Sequence, residues 1–147
     1  MLLKHLFTFL AEFNLSQQKN TNQIYIVLGL GSSGENAAKL LKSEGENVLV
    51  LENNSNEKLI NTSKKLKSEG INVILLNEPL HINNFAPWIE NIRSIIVSPG
   101  IDWNHEVLKE LRNKNINVQG EVELAWKRLK HIKSIGITGT NGKTTVT

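Results

Sequence analysis

Apolar residues come in short unbroken blocks along this chain: Ile24-Tyr25-Ile26-Val27-Leu28, Val48-Leu49-Val50-Leu51, Val73-Ile74-Leu75-Leu76 and, in the run opened by Ser94, Ile95-Ile96-Val97. None alternates with polar positions as a strand with one wet face does. Unbroken β-branched runs of this length read as strands buried on both faces of a parallel sheet. Between them the apolar period lengthens. Ala37, Ala38, Leu40 and Leu41 recur at helical spacing, and the pattern closes near Gly45. Ser55 is placed to cap a second helix running to about Glu69. The stretch from Asn77 to Asn91 has no clear period and holds at most a short helix around Trp88. Further on, the pattern predicts a helix from about His105 to Asn113 and a short strand over Ile116 to Gln119. A helix then opens at Gly120 and runs through about Leu129, with Trp126 spaced to face the core, and a last strand covers Ser134 to Ile137. Strands alternating with helices predict an α/β fold, a Rossmann-like parallel doubly wound sheet.

The first 22 residues stand apart. Leu2, Leu3, Leu6, Phe7, Leu10 and Phe13 fall on one helical face, followed by the polar stretch SQQKNTNQ. Glu12 interrupts the apolar core and no small-residue cleavage site follows, so the segment reads as an amphipathic helix or a poorly ordered arm rather than a leader. Its polar face is not basic enough for a membrane-surface helix. No window approaches the ~20 apolar residues of a membrane span.

Composition narrows the function classes. The chain has 147 residues, enough for one domain with a sizeable core, and no cysteine, which removes disulfides and thiolate metal sites. The four histidines lie far apart at no metal-ligand spacing. A net charge of +3 suits an anionic ligand, but the Lys and Arg residues are scattered and give no nucleic-acid patch.

Two glycine-rich loops carry the candidate chemistry. The first, Gly29-Leu30-Gly31-Ser32-Ser33-Gly34, follows the first strand and opens the first helix. In such a loop Gly29 permits the tight turn, Gly31 lets a phosphate approach the backbone, and Gly34 allows close helix–strand packing. The helix N-terminus presents free N–H groups to an anion. Glu52, at the end of the second strand, stands where an acid often binds a ribose hydroxyl. NAD is the plain reading of such a loop, and a stand-alone dinucleotide-sensing module is one reading of the chain. No hydride-transfer machinery accompanies it.

The second loop is Gly139-Thr140-Asn141-Gly142-Lys143-Thr144-Thr145. Its backbone N–H groups would wrap phosphates, Lys143 would reach the β- and γ-phosphates, and the Thr144 hydroxyl would ligate Mg²⁺. It departs from the general phosphate-loop pattern at Ile137, where that pattern has glycine.

The departure is informative. TGTNGKTT after a short apolar strand resembles the ATP loop of the Mur ligase family. VLGLGSSG, SPGI (Ser98 to Ile101) and GEVEL (Gly120 to Leu124) point to the branch that adds D-glutamate to UDP-N-acetylmuramoyl-L-alanine in peptidoglycan synthesis. An L-alanine-adding member is the alternative within the family. The resemblance implies three domains, of which this chain carries an arm (1–22), a Rossmann-like UDP-substrate domain (23–119) and the truncated start of a central P-loop ATPase domain (120–147).

By that resemblance Gly31, Ser32 and Ser33 contact the diphosphate. Glu52, Asn53 and Asn54 lie where the uridine is held, and Ser98 and Gly100 line the same pocket. Asn53 and Asn54 depart from the Thr and Arg of some members. The implied reaction is a bacterial, cytoplasmic amide ligation through an acyl phosphate, using ATP and Mg²⁺ held by residues 139–145 with Thr144 as a metal ligand. The chain stops three residues after Thr144 and lacks the remaining catalytic groups and the D-glutamate domain. It is therefore expected to be inactive alone and to hold no cofactor tightly.

Overall fold

The computed structural model describes residues 22–76, 78–129 and 132–133. The predicted arm, the strand over 134–137 and the phosphate loop 139–145 lie outside the described residues. Within them the chain alternates strand and helix: β1 (Ile24–Leu28), α1 (Ser32–Ser43), β2 (Val48–Glu52), α2 (Glu57–Ser68) and β3 (Asn72–Leu75). After two short 3-10 turns, Ile82–Phe85 and Ile89–Asn91, come β4 (Ile92–Val97), α3 (Glu106–Asn113), β5 (Val118–Gly120) and α4 (Glu121–Arg128).

The sheet order is β3-β2-β1-β4-β5, and every pairing is parallel. The chain thus winds outward from β1 to β3, crosses back to β4, and winds outward the other way. Successive strand residues enter opposite layers, as a pleated strand requires. Tyr25, Val27, Val48 and Val50 pack with Ala38 and Leu41 of α1, Leu66 of α2 and Leu124 of α4. Ile26, Leu28, Leu49 and Leu51 pack on the other side with Phe85 and with Val107, Leu108 and Leu111 of α3. Both faces of β1 and β2 are therefore dry, which is why their sequences carry no polar alternation.

Some expectations shift. Asn56, not Ser55, caps α2, its side chain accepting from the Leu59 N–H at 3.0 Å. Ser55 sits one residue too early for its hydroxyl to serve the first turn. Instead of a helix around Trp88, 3-10 turns lie on either side of it, with Trp88 half-buried against the second core layer. Trp126 is the clearest correction: it is 51% exposed, and Leu124 alone among α4 residues is buried. An eight-residue helix turns only one narrow stripe inward, and Leu124 occupies it.

α4 is fastened through its last turn. The Arg128 guanidinium makes a two-pronged bond to Glu44 beyond α1, 2.9 Å from Nε to Oε1 and 2.8 Å from the second prong to Oε2. That hydrogen bonding, with a smaller contribution from Tyr25, holds the guanidinium charged and raises its pKa above the ordinary value. Lys127 Nζ donates to Gln119 Oε1 at 2.7 Å, and Gln119 Nε2 donates to the buried Ser94 hydroxyl at 2.9 Å.

Candidate functional site

Leu28 of β1 pairs with Leu51 of β2 on one side and Val97 of β4 on the other. The three strands therefore end at one level, and the loops after them gather at one sheet edge. Beyond Leu28 the chain turns away through Gly29, whose φ of +93° suits glycine and strains other residues. Gly29 N–H still donates to Leu51 O at 2.8 Å, and Ser98 N–H donates to Leu28 O at 3.1 Å, so the loop is pinned from both neighbours. Between β1 and β4 the winding direction reverses. That is where open α/β sheets leave a crevice outside the strands' carboxyl ends.

A cleft of about 370 Å³ fills this position. Its size falls at the small end of the ~300–1,000 Å³ typical of small-molecule sites. Gly31, Ser32, Ser33, Glu52, Asn53, Asn54, Ser98 and Gly100, all singled out from the sequence, line it together. Leu28, Leu51, Leu80, Pro99 and Ile101 add an apolar floor and wall that sequence reasoning did not assign. Leu80 lies in the stretch without readable period, so nothing in its sequence context marked it. Trp103 is not among the lining residues. It is half exposed, with the Arg112 guanidinium stacked 4.3 Å from its ring centroid and donating to its carbonyl. His105 serves as the N-cap of α3, its Nδ1 accepting from the Val107 N–H at 3.2 Å.

The glycines divide the labour. A Cβ on Gly34 would lie 2.0 Å from the Gly29 carbonyl oxygen, so α1 can come this close to the loop only with glycine there. A Cβ on Gly31 would meet nothing within 4 Å, so the space beside it is open toward the cleft. Gly31 is also the N-cap of α1 and offers no side chain to the first turn. The leading N–H groups of α1, those of Ser32, Ser33 and Gly34, take no side-chain cap, which is the arrangement that accepts an anion.

Glu52 is buried, and its carboxylate is engaged with the protein itself. Oε2 accepts from the Leu30 N–H at 2.6 Å, while Oε1 accepts from the Asn54 N–H at 2.8 Å and from Asn54 Nδ2 at 3.2 Å. One side chain thus ties the glycine loop to the loop after β2. The Ser98 hydroxyl is the opposite case, a buried polar atom with no hydrogen-bond partner, packed against Gly29 and Gly34 at the cleft wall. Buried hydroxyls without partners are uncommon enough to point to an external one. Among the described residues no Lys or Arg lines the cleft, and there backbone N–H groups and the α1 dipole are what can balance an anion. Among the described residues no group of His, Cys, Asp and Glu could hold a metal ion, and no helix is long and apolar enough to cross a membrane.

Fold and cleft together define a doubly wound α/β domain with a polar cleft at its switch point. The family model for the Mur ligase MurD-like N-terminal domain matches residues 23–120, and the chain belongs to that family. It is 76% identical over 133 residues to the UDP-N-acetylmuramoylalanine–D-glutamate ligase of Prochlorococcus marinus (strain NATL2A), covering 90% of this chain and 28% of the relative. To the enzyme of the same name from Synechococcus sp. (strain CC9605) it is 49% identical over 122 residues, 83% of this chain and 26% of that one. The chain thus spans little more than a quarter of the curated relatives it matches. Among solved structures, the UDP-N-acetylmuramate–alanine ligase of Thermotoga maritima shares the fold, with a TM-score of 0.53 and 18% identity over 74% of this chain and 23% of that one.

Proposed function

We propose that this chain supplies the UDP-recognition domain of a D-glutamate-adding Mur ligase and that the cleft holds the uridine diphosphate end of UDP-N-acetylmuramoyl-L-alanine. The observation that carries the reading is the coincidence of two features at one wall. The Ser98 hydroxyl is buried without a partner, and the open space at Gly31 faces the uncapped first turn of α1. A diphosphate would fill that space, taking hydrogen bonds from the Ser32 and Ser33 N–H groups and hydroxyls. The ribose and uracil would lie toward Asn53, Asn54 and Gly100, against Leu80 and Ile101. Glu52 would act mainly by fixing the two loops between which the nucleotide sits.

In the whole enzyme, ATP and Mg²⁺ would be held by residues 139–145, with Lys143 on the phosphates and Thr144 on the metal. Supporting this reading are the D-glutamate ligases of Prochlorococcus marinus and Synechococcus to which the chain is similar. The test is a chimaera in which residues 1–147 replace the matching segment of the Prochlorococcus NATL2A ligase. D-glutamate-dependent phosphate release with UDP-N-acetylmuramoyl-L-alanine is expected. Release with L-alanine and UDP-N-acetylmuramate instead, from a folded chimaera, would overturn the assignment.

A further inference from the structure

Asn54 is an exposed residue of the cleft lining, yet its carboxamide is not free to turn. Its Nδ2 donates to Glu52 Oε1 at 3.2 Å, and its backbone N–H donates to the same oxygen at 2.8 Å. The other carboxyl oxygen, Oε2, accepts from the Leu30 N–H at 2.6 Å. Both oxygens of Glu52 thus act as acceptors. Turning the Asn54 carboxamide end for end would set its Oδ1, which has only lone pairs to offer, against an oxygen already receiving a hydrogen. The nitrogen end therefore faces Glu52, and Oδ1 faces away from it. Among the described residues nothing donates to Oδ1. Glu52 is itself buried and bonded to both loops, so the order of acceptor and donor along the free edge of Asn54 is fixed from the end of β2. Asn53, also in the lining, has no such anchor among the described residues.

We infer that Asn54 selects the pyrimidine, taking uracil and rejecting cytosine, because Glu52 fixes which end of its amide meets the base. The inference rests on the reading that a uridine diphosphate lies in the cleft with its base toward residues 53 and 54. A base that is free of pairing is told apart by hydrogen bonds along its Watson–Crick edge. Uracil offers a donor there, N3–H, between two carbonyls. An amide with its oxygen on N3–H and its hydrogen on a neighbouring carbonyl makes two bonds to it. Cytosine offers an acceptor at N3 and a donor at the adjoining amino group. It matches only an amide turned the other way, which the bond to Glu52 opposes. Cytosine lying where uracil lies would set its N3 lone pair against Oδ1. Polar groups left unmatched in this way weaken binding roughly tenfold or more. The unanchored amide of Asn53 can turn to suit either base.

Amide titrations of the 147-residue chain with UDP and with CDP test this. The parent is expected to bind CDP roughly tenfold or more weakly than UDP, with UDP shifting the Asn54 side-chain NH₂ signals. Asn54→Ala keeps the backbone bond to Glu52 and should bind the two nucleotides about equally. Glu52→Gln gives a second reading, because a glutamine can turn either a hydrogen or an oxygen to Asn54 and so lets its amide reverse. In a Glu52→Gln chain whose spectrum stays folded, CDP should gain on UDP although Asn54 is intact. A bracing role alone would weaken both nucleotides together and leave their ratio unchanged, and that result would overturn the inference. Equal affinities in the parent, with both nucleotides shifting the cleft amides, would overturn the selection and leave the diphosphate site standing. An Asn54→Ala chain that keeps the parent's preference would do the same. Cleft amides that respond to neither nucleotide would remove the reading of the site, and this inference with it.

Discussion

Gly34→Ala tests the packing on which the cleft depends. The added Cβ would sit 2.0 Å from the Gly29 carbonyl oxygen, 3.0 Å from the Gly29 carbonyl carbon and 3.0 Å from the Ser98 hydroxyl. Real Cβ atoms essentially never approach other atoms below 3.0 Å, and the obstacle is backbone pinned to β2 by the Gly29–Leu51 bond. Relief therefore requires α1 to slide away from the loop. Overpacking of this kind costs ~1–3 kcal/mol, and a backbone collision belongs at the upper end. Helix propensity returns at most ~1 kcal/mol for Gly→Ala. A net loss of ~2 kcal/mol lowers the melting temperature of a domain of about 100 residues by roughly 10 °C. Gly31→Ala is the control: its Cβ meets nothing, and Ala at an N-cap costs at most ~1 kcal/mol. Thermal melts followed by circular dichroism should rank the parent, then Gly31→Ala slightly below, then Gly34→Ala far below. Binding of UDP should weaken in Gly31→Ala although its fold is intact, because the methyl occupies the phosphate's approach. A Gly34→Ala chain that melts with the parent would show that the α1–loop contact is not rigid, and the reasoning would fail.

Three further outcomes follow from the same geometry. Glu52→Gln keeps the shape but turns an amide NH₂ toward either the Leu30 or the Asn54 N–H. It should cost ~1–3 kcal/mol in urea unfolding, and a variant as stable as the parent would remove Glu52's bracing role. Ser94→Ala strips the acceptor from Gln119 Nε2 and Asn117 Nδ2 and should destabilise by ~1–3 kcal/mol, with the chemical-shift changes confined to β4, β5 and α4. Glu35 is held below its ordinary carboxylate value of 4.5, chiefly by its hydrogen bond from Lys39, which with the charges of Lys39 and Lys65 outweighs the opposing effect of burial. A lowered folded pKa means the pair stabilises fully above 4.5 and loses that contribution as the pH falls through the folded value. Glu35→Gln should thus be the less stable chain at neutral pH and draw level with the parent in acid. A gap that persists unchanged well below 4.5 would contradict the assignment.

The positions of the strands were legible because burial on both faces leaves a run such as Ile24–Leu28 with no polar alternation to confuse. The cleft was legible for a related reason. The glycine loop has backbone requirements at Gly29 and Gly34, so those residue types appear in the sequence itself. Side-chain partnerships were not. Glu52 reads as a ribose ligand from its position after a strand, and its bonds to the Leu30 and Asn54 N–H groups, made by loop geometry, carry no sequence signal. Trp126 reads as core by size and spacing, yet the one inward stripe of a short helix goes to Leu124. Leu80 lines the cleft from an irregular segment, where no period exists to announce it.

The central claim is that the cleft at the β1/β4 switch point recognises a uridine diphosphate. A backbone amide titration of the 147-residue chain with UDP, and separately with NADH, tests it most directly. The account predicts that UDP shifts the amides of Gly31 to Gly34, Asn53 to Asn54 and Ser98 to Gly100, leaving α3 and the β3 edge still. Shifts at those loops from NADH alone would contradict it and make the chain a dinucleotide-binding module.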